Sequence, residues 1–188
     1  MPVDLVIFDG AGKAFDALKS SLDIGFLAIE PVRAAEVDFT APYVLIEGTY
    51  MVPQDSPLKA VEDVDRAGVR IAIGRGSAYD LYLTRTLKNA TLVRAATGGC
   101  CAMIDLFRAE KLDAVAGVRQ TLMMGAAKQQ GLRVMGDAFQ VIRQASGVPK
   151  GRDAAARYLS GFIDEMKANG FVKRALEASG NGDVTVPN

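Results

Sequence analysis

The segment from Pro31 to Pro53, PVRAAEVDFTAPYVLIEGTYMVP, constrains the fold more than any other part of the sequence. It opens on an arginine just past an apolar run and passes through Asp38-Phe39-Thr40 and Pro42-Tyr43. It then becomes β-rich at Thr49-Tyr50-Met51-Val52. A strand–helix–strand pattern precedes it and another follows it. A segment that joins two such units and carries a placed cation at its start reads as the crossing between two lobes of a ligand-binding cleft.

The first unit is Val3 to Phe8 as a buried strand, Lys13 to Ser21 as a short helix, and Ile24 to Ile29 as a second strand. Such βαβ units favour a parallel sheet. After the crossing, Ser56-Pro57 reads as an N-cap followed by proline at the first helical position, opening a helix over Leu58, Val61 and Val64. Strand Val69 to Ile73, the turn Gly74-Arg75-Gly76-Ser77, helix Ala78 to Lys88 and a short strand at Leu92-Val93 follow. Helix Ala102 to Glu110, strand Leu112 to Val118 and helix Arg119 to Gln130 complete the second unit. Short strands are expected at Leu132 to Met135 and Phe139 to Ile142. The longest helix spans Asp153 to Asn169, with Tyr158, Leu159, Phe162, Ile163 and Met166 at helical spacing. Gly170 stands as its C′ residue, and a short helix, Phe171 to Ala178, comes after it. Phe15 to Ile29 and Ile104 to Val118 share a helix, a Leu-Asp pair and an apolar strand, with Asp23 and Asp113 in equivalent places. That echo suggests two related lobes, although helix–Leu-Asp–strand is also common in unrelated α/β chains.

Composition narrows the function. Lys plus Arg and Asp plus Glu are both 22, so the chain lacks the basic footprint of a nucleic-acid binder. The sequence contains 0 histidines, which removes the commonest general base and metal ligand. Neither a Ser-centred elbow nor a nucleophile–base pair is apparent. No catalytic residue, metal or cofactor is therefore assigned. Cys100 and Cys101 are adjacent, close no useful loop, and read as buried thiols. No apolar run reaches the ~18 residues of a membrane span. The N-terminus has no basic start, and Asp4 and Asp9 interrupt its apolar run, so no signal peptide is expected. The chain is expected to be soluble.

Ligands of open α/β sheets bind beyond the carboxyl ends of strands, and three such ends carry usable groups. Arg33 follows Ile29; its planar fork suits a carboxylate, but spacing alone equally allows a surface arginine beside Glu30 or Glu36. Gly74 to Ser77 turns a strand into a helix start, where amides and the helix dipole favour an anion. Ser77 with Asp80 is also an ordinary capped turn, a capping-box variant. Arg119, after Val118, is a further anion contact or a solvated helix start.

The stretch IEPVRAAEVDFTAPY (Ile29 to Tyr43) resembles the signature of the family 3 extracellular solute-binding proteins, receptors of polar amino-acid ABC importers. GVRIAIGRGSAYD (Gly68 to Asp80), LDAVAGVR and VPKGRDAAARYLSGFIDEMKANGFVKRALE are similar to later segments of that family. The resemblance covers nearly the whole chain. It implies a two-lobed flytrap of the class II periplasmic-binding-protein type, with βαβ units in each lobe. Residues 1–47 and 144–188 would form lobe 1 and residues 48–143 lobe 2. It implies that Arg33 grips a ligand carboxylate and that Gly76 and Ser77 complete the grip from the other lobe. Ala28 and Glu30 stand where the family has a Ser/Thr and a Thr, and Val118, with Arg119 beside it, stands where the family has an acidic residue for the ligand amine. The implied ligand is an amino acid or related organic acid, the implied partners are the membrane subunits of an ABC transporter, and the implied location is the periplasm. The family's first strand and helix have no counterpart, so lobe 1 is expected to be truncated and a homodimer could complete it. Two other readings stay open: a cyclohexadienyl dehydratase-like enzyme with Glu30 as its acid, and a non-binding remnant stabilised by dimerisation.

Overall fold

Two ten-residue strands, β3 (Val44–Pro53) and β8 (Gln140–Pro149), form the spine of the computed structural model, which describes residues 3–96 and 100–187. They pair antiparallel from Val44↔Gln144 to Gly48↔Gln140. Beyond that register each takes other partners. β8 pairs with β1 (Gly25–Ala28) and β2 (Val37–Phe39). β3 pairs with β6 (Ala114–Val118) and β7 (Leu132–Val134). β4 (Arg70–Gly74) then lies parallel between β6 and β5 (Thr91–Ala95). One mixed sheet results, in the order β1-β8-β3-β6-β4-β5.

Among the described residues seven α-helices flank it: α1 (Ala11–Leu18), the single turn α2 (Pro31–Ala34), α3 (Ala78–Thr86), α4 (Cys100–Ala109), α5 (Arg119–Ala127), α6 (Asp153–Ala168) and α7 (Phe171–Ala178). Among the described residues no helix is long and apolar enough to cross a membrane.

The hydrophobic interior is unequal. The larger cluster gathers Tyr50, Met51, Ile71, Ile73, Met103 and Leu122 around β3, β4 and β6. The smaller one has only Leu18, Leu27 and Val37 fully buried, with Phe15 and Phe39 packed beside them. At ~1.5–3 kcal/mol per buried large aliphatic side chain, the second cluster holds its half of the molecule far less firmly.

Several expectations are corrected here. Val3 to Phe8 forms no strand, and Val3, Leu5 and Ile7 are exposed. An apolar run becomes a strand only when a neighbour takes its amides, and among the described residues none pairs with it. The first βαβ unit is accordingly absent: β1 pairs antiparallel with β8, whereas the second unit is parallel as expected. Ser56 opens no α-helix. Its hydroxyl accepts from the Leu58 amide at 3.3 Å, and a 3-10 turn forms only at Val61–Val64. Of the five apolar residues expected to face inward on α6, Leu159 and Ile163 are buried and Tyr158 and Phe162 are exposed. The two echoing aspartates differ in use. The Asp113 carboxylate accepts from the Arg70 amide at 2.7 Å, locking β6 to β4, while Asp23 pairs with Arg152 at the surface. The side chains of Cys100 and Cys101 lie outside the described residues.

Candidate functional site

Pro31 starts α2, its missing N–H being no loss at a first helical position, and the single turn carries Arg33 inward. Arg33 is 1% exposed. Its Nη1 donates to the Ala28 carbonyl at 3.0 Å and its Nη2 to the Gly76 carbonyl at 2.8 Å. Burial pulls its pKa below the ordinary arginine value, and the nearby Glu30 carboxylate opposes that. An arginine stays charged in proteins, so this is a buried cation held by carbonyl dipoles and able to accept a stronger, anionic partner.

Gly76 faces it from the β4–α3 turn. Its φ is +70°, and its Cα lies so close to α1 that an added Cβ would come within 3.1 Å of the Gly12 Cα. Ser77 is the N-cap of α3, accepting from the Asp80 amide at 3.0 Å. The reciprocal bond of a capping box is shifted by one residue: the Asp80 carboxylate accepts from the Gly76 amide at 2.8 Å, while the Ser77 amide donates to the Gly74 carbonyl at 3.2 Å. The same carboxylate accepts from Arg94 Nε at 2.9 Å and from the Thr84 hydroxyl at 3.2 Å. The anion that this helix start favours is thus the protein's own. The Gly76 amide is engaged, and what Gly76 offers Arg33 is its carbonyl.

Ala28, Arg33, Ser77 and Val118 line one cavity of about 190 Å³, together with Tyr79 and Gln144. Two further sequence candidates lie elsewhere. Glu30 is 2% exposed and receives Arg85 Nη1 and Gln140 Nε2, each at 2.7 Å, beside a neighbouring cavity. Arg119 donates to the carbonyls of Met135 and Gly136, both at 2.8 Å, and pairs with Glu47. It ties the start of α5 to the connection before β8 and does not line the Arg33 cavity.

Sequence reasoning missed Tyr79 and Gln144. Tyr79 sits one residue inside α3, where an apolar position reads as core; its hydroxyl meets the Met103 sulfur at 3.2 Å. Gln144 arrives through the pairing of β8 with β1, opposite Ala28, a register with no local sequence signal. Among the described residues no group of three or more His, Cys, Asp or Glu is arranged to hold a metal.

Residues 3–179 match the bacterial extracellular solute-binding proteins, family 3. The chain belongs to this family. Its fold is that of periplasmic binding proteins. The substrate-binding protein of an amino acid ABC transporter superposes with a TM-score of 0.78 at 18% identity, over 93% of this chain and 78% of that one. The solute receptor for L-cysteine of Neisseria gonorrhoeae gives 0.79 at 20% identity, over 92% and 70%. A histidine kinase sensor domain with similarity to periplasmic binding proteins gives 0.77 at 22% identity, over 95% and 78%. At these identities the likeness is one of fold. No curated protein sequence matches the chain.

Proposed function

We propose that this family 3 protein is a solute-binding receptor that clamps a small carboxylate between two lobes, residues 1–47 with 144–188 and residues 48–143. The observation that carries the proposal is Arg33: a buried cation on the wall of a cavity, satisfied by the carbonyls of Ala28 and Gly76. A ligand carboxylate displaces the Gly76 carbonyl and takes the fork, since charge-assisted bonds are roughly twice as strong as neutral ones. The Ser77 hydroxyl, which accepts from Asp80, retains its own proton to donate to the same oxygen.

Two features limit the ligand. The cavity of about 190 Å³ lies below the ~300 Å³ at which ligand pockets begin, which favours a short side chain. Its lining contains no carboxylate: Val118 is apolar and Glu30 is engaged by Arg85 and Gln140. A simple organic acid or a small amino acid fits this chemistry, and a cationic ligand does not. Family membership and amino-acid-binding structural neighbours support the receptor reading. On that reading the partners are ABC-transporter membrane subunits and the location is the periplasm. The dehydratase reading loses its acid, because Glu30 does not line the cavity that holds Arg33.

The test is calorimetric titration with short monocarboxylates and small amino acids, on the parent, Arg33→Ala and Arg33→Lys. Loss of one charge-assisted bond costs about 2 kcal/mol, roughly thirty-fold in affinity. Arg33→Lys keeps the buried charge but loses the fork, so it controls for folding and is expected to bind weakly. An Arg33→Ala protein that binds as tightly as the parent overturns the assignment.

A further inference from the structure

Among the described residues β1 has one hydrogen-bonded neighbour, β8, and its other edge is open. The Ile29 amide donates to the Arg143 carbonyl at 2.9 Å. Antiparallel alternation therefore turns the backbone groups of Phe26 and Ala28 toward the open edge. The Ala28 carbonyl is taken by Arg33, and the Phe26 pair remains. Across from this edge stands the segment Val3 to Phe8, strand-like in composition yet unpaired, with Val3 79%, Leu5 87% and Ile7 93% exposed. Between the two lies a cavity of about 510 Å³, lined on one side by Asp4, Leu5, Val6 and Phe8 and on the other by Ile24 to Leu27. Ile24 and Phe26 also expose much of their side chains.

We propose that this cavity is a strand-exchange interface, filled by residues 3–8 of a second copy of the chain. Among its described residues one molecule presents both halves of the contact: a strand-competent segment without a strand partner and a sheet edge without one. A two-fold arrangement satisfies both at once, since the segment of each copy meets the edge of the other. Open edges of this kind are natural templates for a strand from another chain. The formal net charge of 0 offers no repulsion between copies. The small cluster beside this edge, in which Leu18, Leu27 and Val37 are buried, gains further apolar cover.

Native mass spectrometry with hydrogen exchange on the chain Met1 to Asn188 tests this. The expected result is a dimer whose amides at residues 3–8 are protected, with protection also gained at Phe26. Leu5→Asp with Ile7→Asp, and separately Ile24→Asp, place charges on the two walls. Leu5 and Ile7 make no core contact, so folding survives their change, and both variants are expected to be monomers with residues 3–8 unprotected. A monomeric parent overturns the proposal. So does a parent dimer with unprotected residues 3–8, or a dimer that survives Leu5→Asp with Ile7→Asp.

Discussion

Gly76 carries three constraints. Its amide binds Asp80, its carbonyl binds Arg33, and its φ of +70° sits against Gly12. An alanine there meets an unfavourable backbone region and a Cβ within 3.1 Å of the Gly12 Cα. Gly76→Ala is expected to destabilise by about 1–3 kcal/mol, read as a lower urea midpoint, and to weaken ligand binding by shifting the carbonyl that positions Arg33. In the ligand-free protein Ser77→Ala removes the N-cap bond to the Asp80 amide and should cost about 1 kcal/mol. The ordering of the two variants checks that backbone strain, more than capping, governs this turn. At this scale the sequence was readable where chemistry is local. Gly-x-Gly-Ser marks a helix start, and Ser77 is its N-cap, although the Asp80 carboxylate returns to Gly76 and not to Ser77. That Arg94 would hold the Asp80 carboxylate was not readable, because it comes from β5 through tertiary packing alone. The same holds for Arg119, whose carbonyl partners lie beyond β7.

At the scale of elements, Asp65 shows how one carboxylate sets a connection. It accepts from the amides of Lys88, Asn89 and Ala90, fastening the loop after the 3-10 turn to the approach to β5. The amides of Ala90 and Asn89 hold its pKa below the usual 3.8, with Lys88 adding to them and slight burial opposing. A folded-state pKa below the unfolded one means that the unfolded chain binds more protons, so stability rises with pH through that interval. The contribution is full above the ordinary aspartate value and is lost as pH falls through the lowered one. Asp65→Asn is expected to lower the denaturation midpoint at neutral pH, and the gap to the parent should close as pH drops below 3.8. A gap independent of pH would contradict this. Elements of the second unit were legible because each strand there finds a parallel neighbour. Val3 to Phe8 was misread for the opposite reason: periodicity reports apolar character, and only a neighbouring strand converts it into a ladder.

In the whole molecule several side-chain bonds cross the proposed lobes, among them Arg119 to Glu47 and Gln120 to Asp183, and two others differ in their relation to the proposed ligand. Arg33 to Gly76 is the bond that the proposed ligand carboxylate would displace. Glu30 to Arg85 lies outside the Arg33 cavity, with Arg85 43% exposed and Glu30 2% exposed. On the two-lobe reading the second bond exists in the closed form whether or not ligand is present. Removing it favours opening equally in both states. Arg85→Ala leaves the buried Glu30 carboxylate with Gln140 as its remaining hydrogen-bond partner, a loss of about 1–3 kcal/mol to the closed form. Apparent association scales with the fraction that is open, so its rate should rise roughly tenfold. Dissociation, which also needs opening, should rise by a similar factor and leave affinity nearly unchanged. Arg33→Ala should behave differently, losing affinity because it removes a contact present only with ligand. Stopped-flow binding on the two variants separates a latch from a ligand contact. If Arg85→Ala weakens affinity with association unchanged, Glu30 and Arg85 act on the ligand rather than on closure, and the cavity beside Tyr82 and Phe139 becomes part of the binding site.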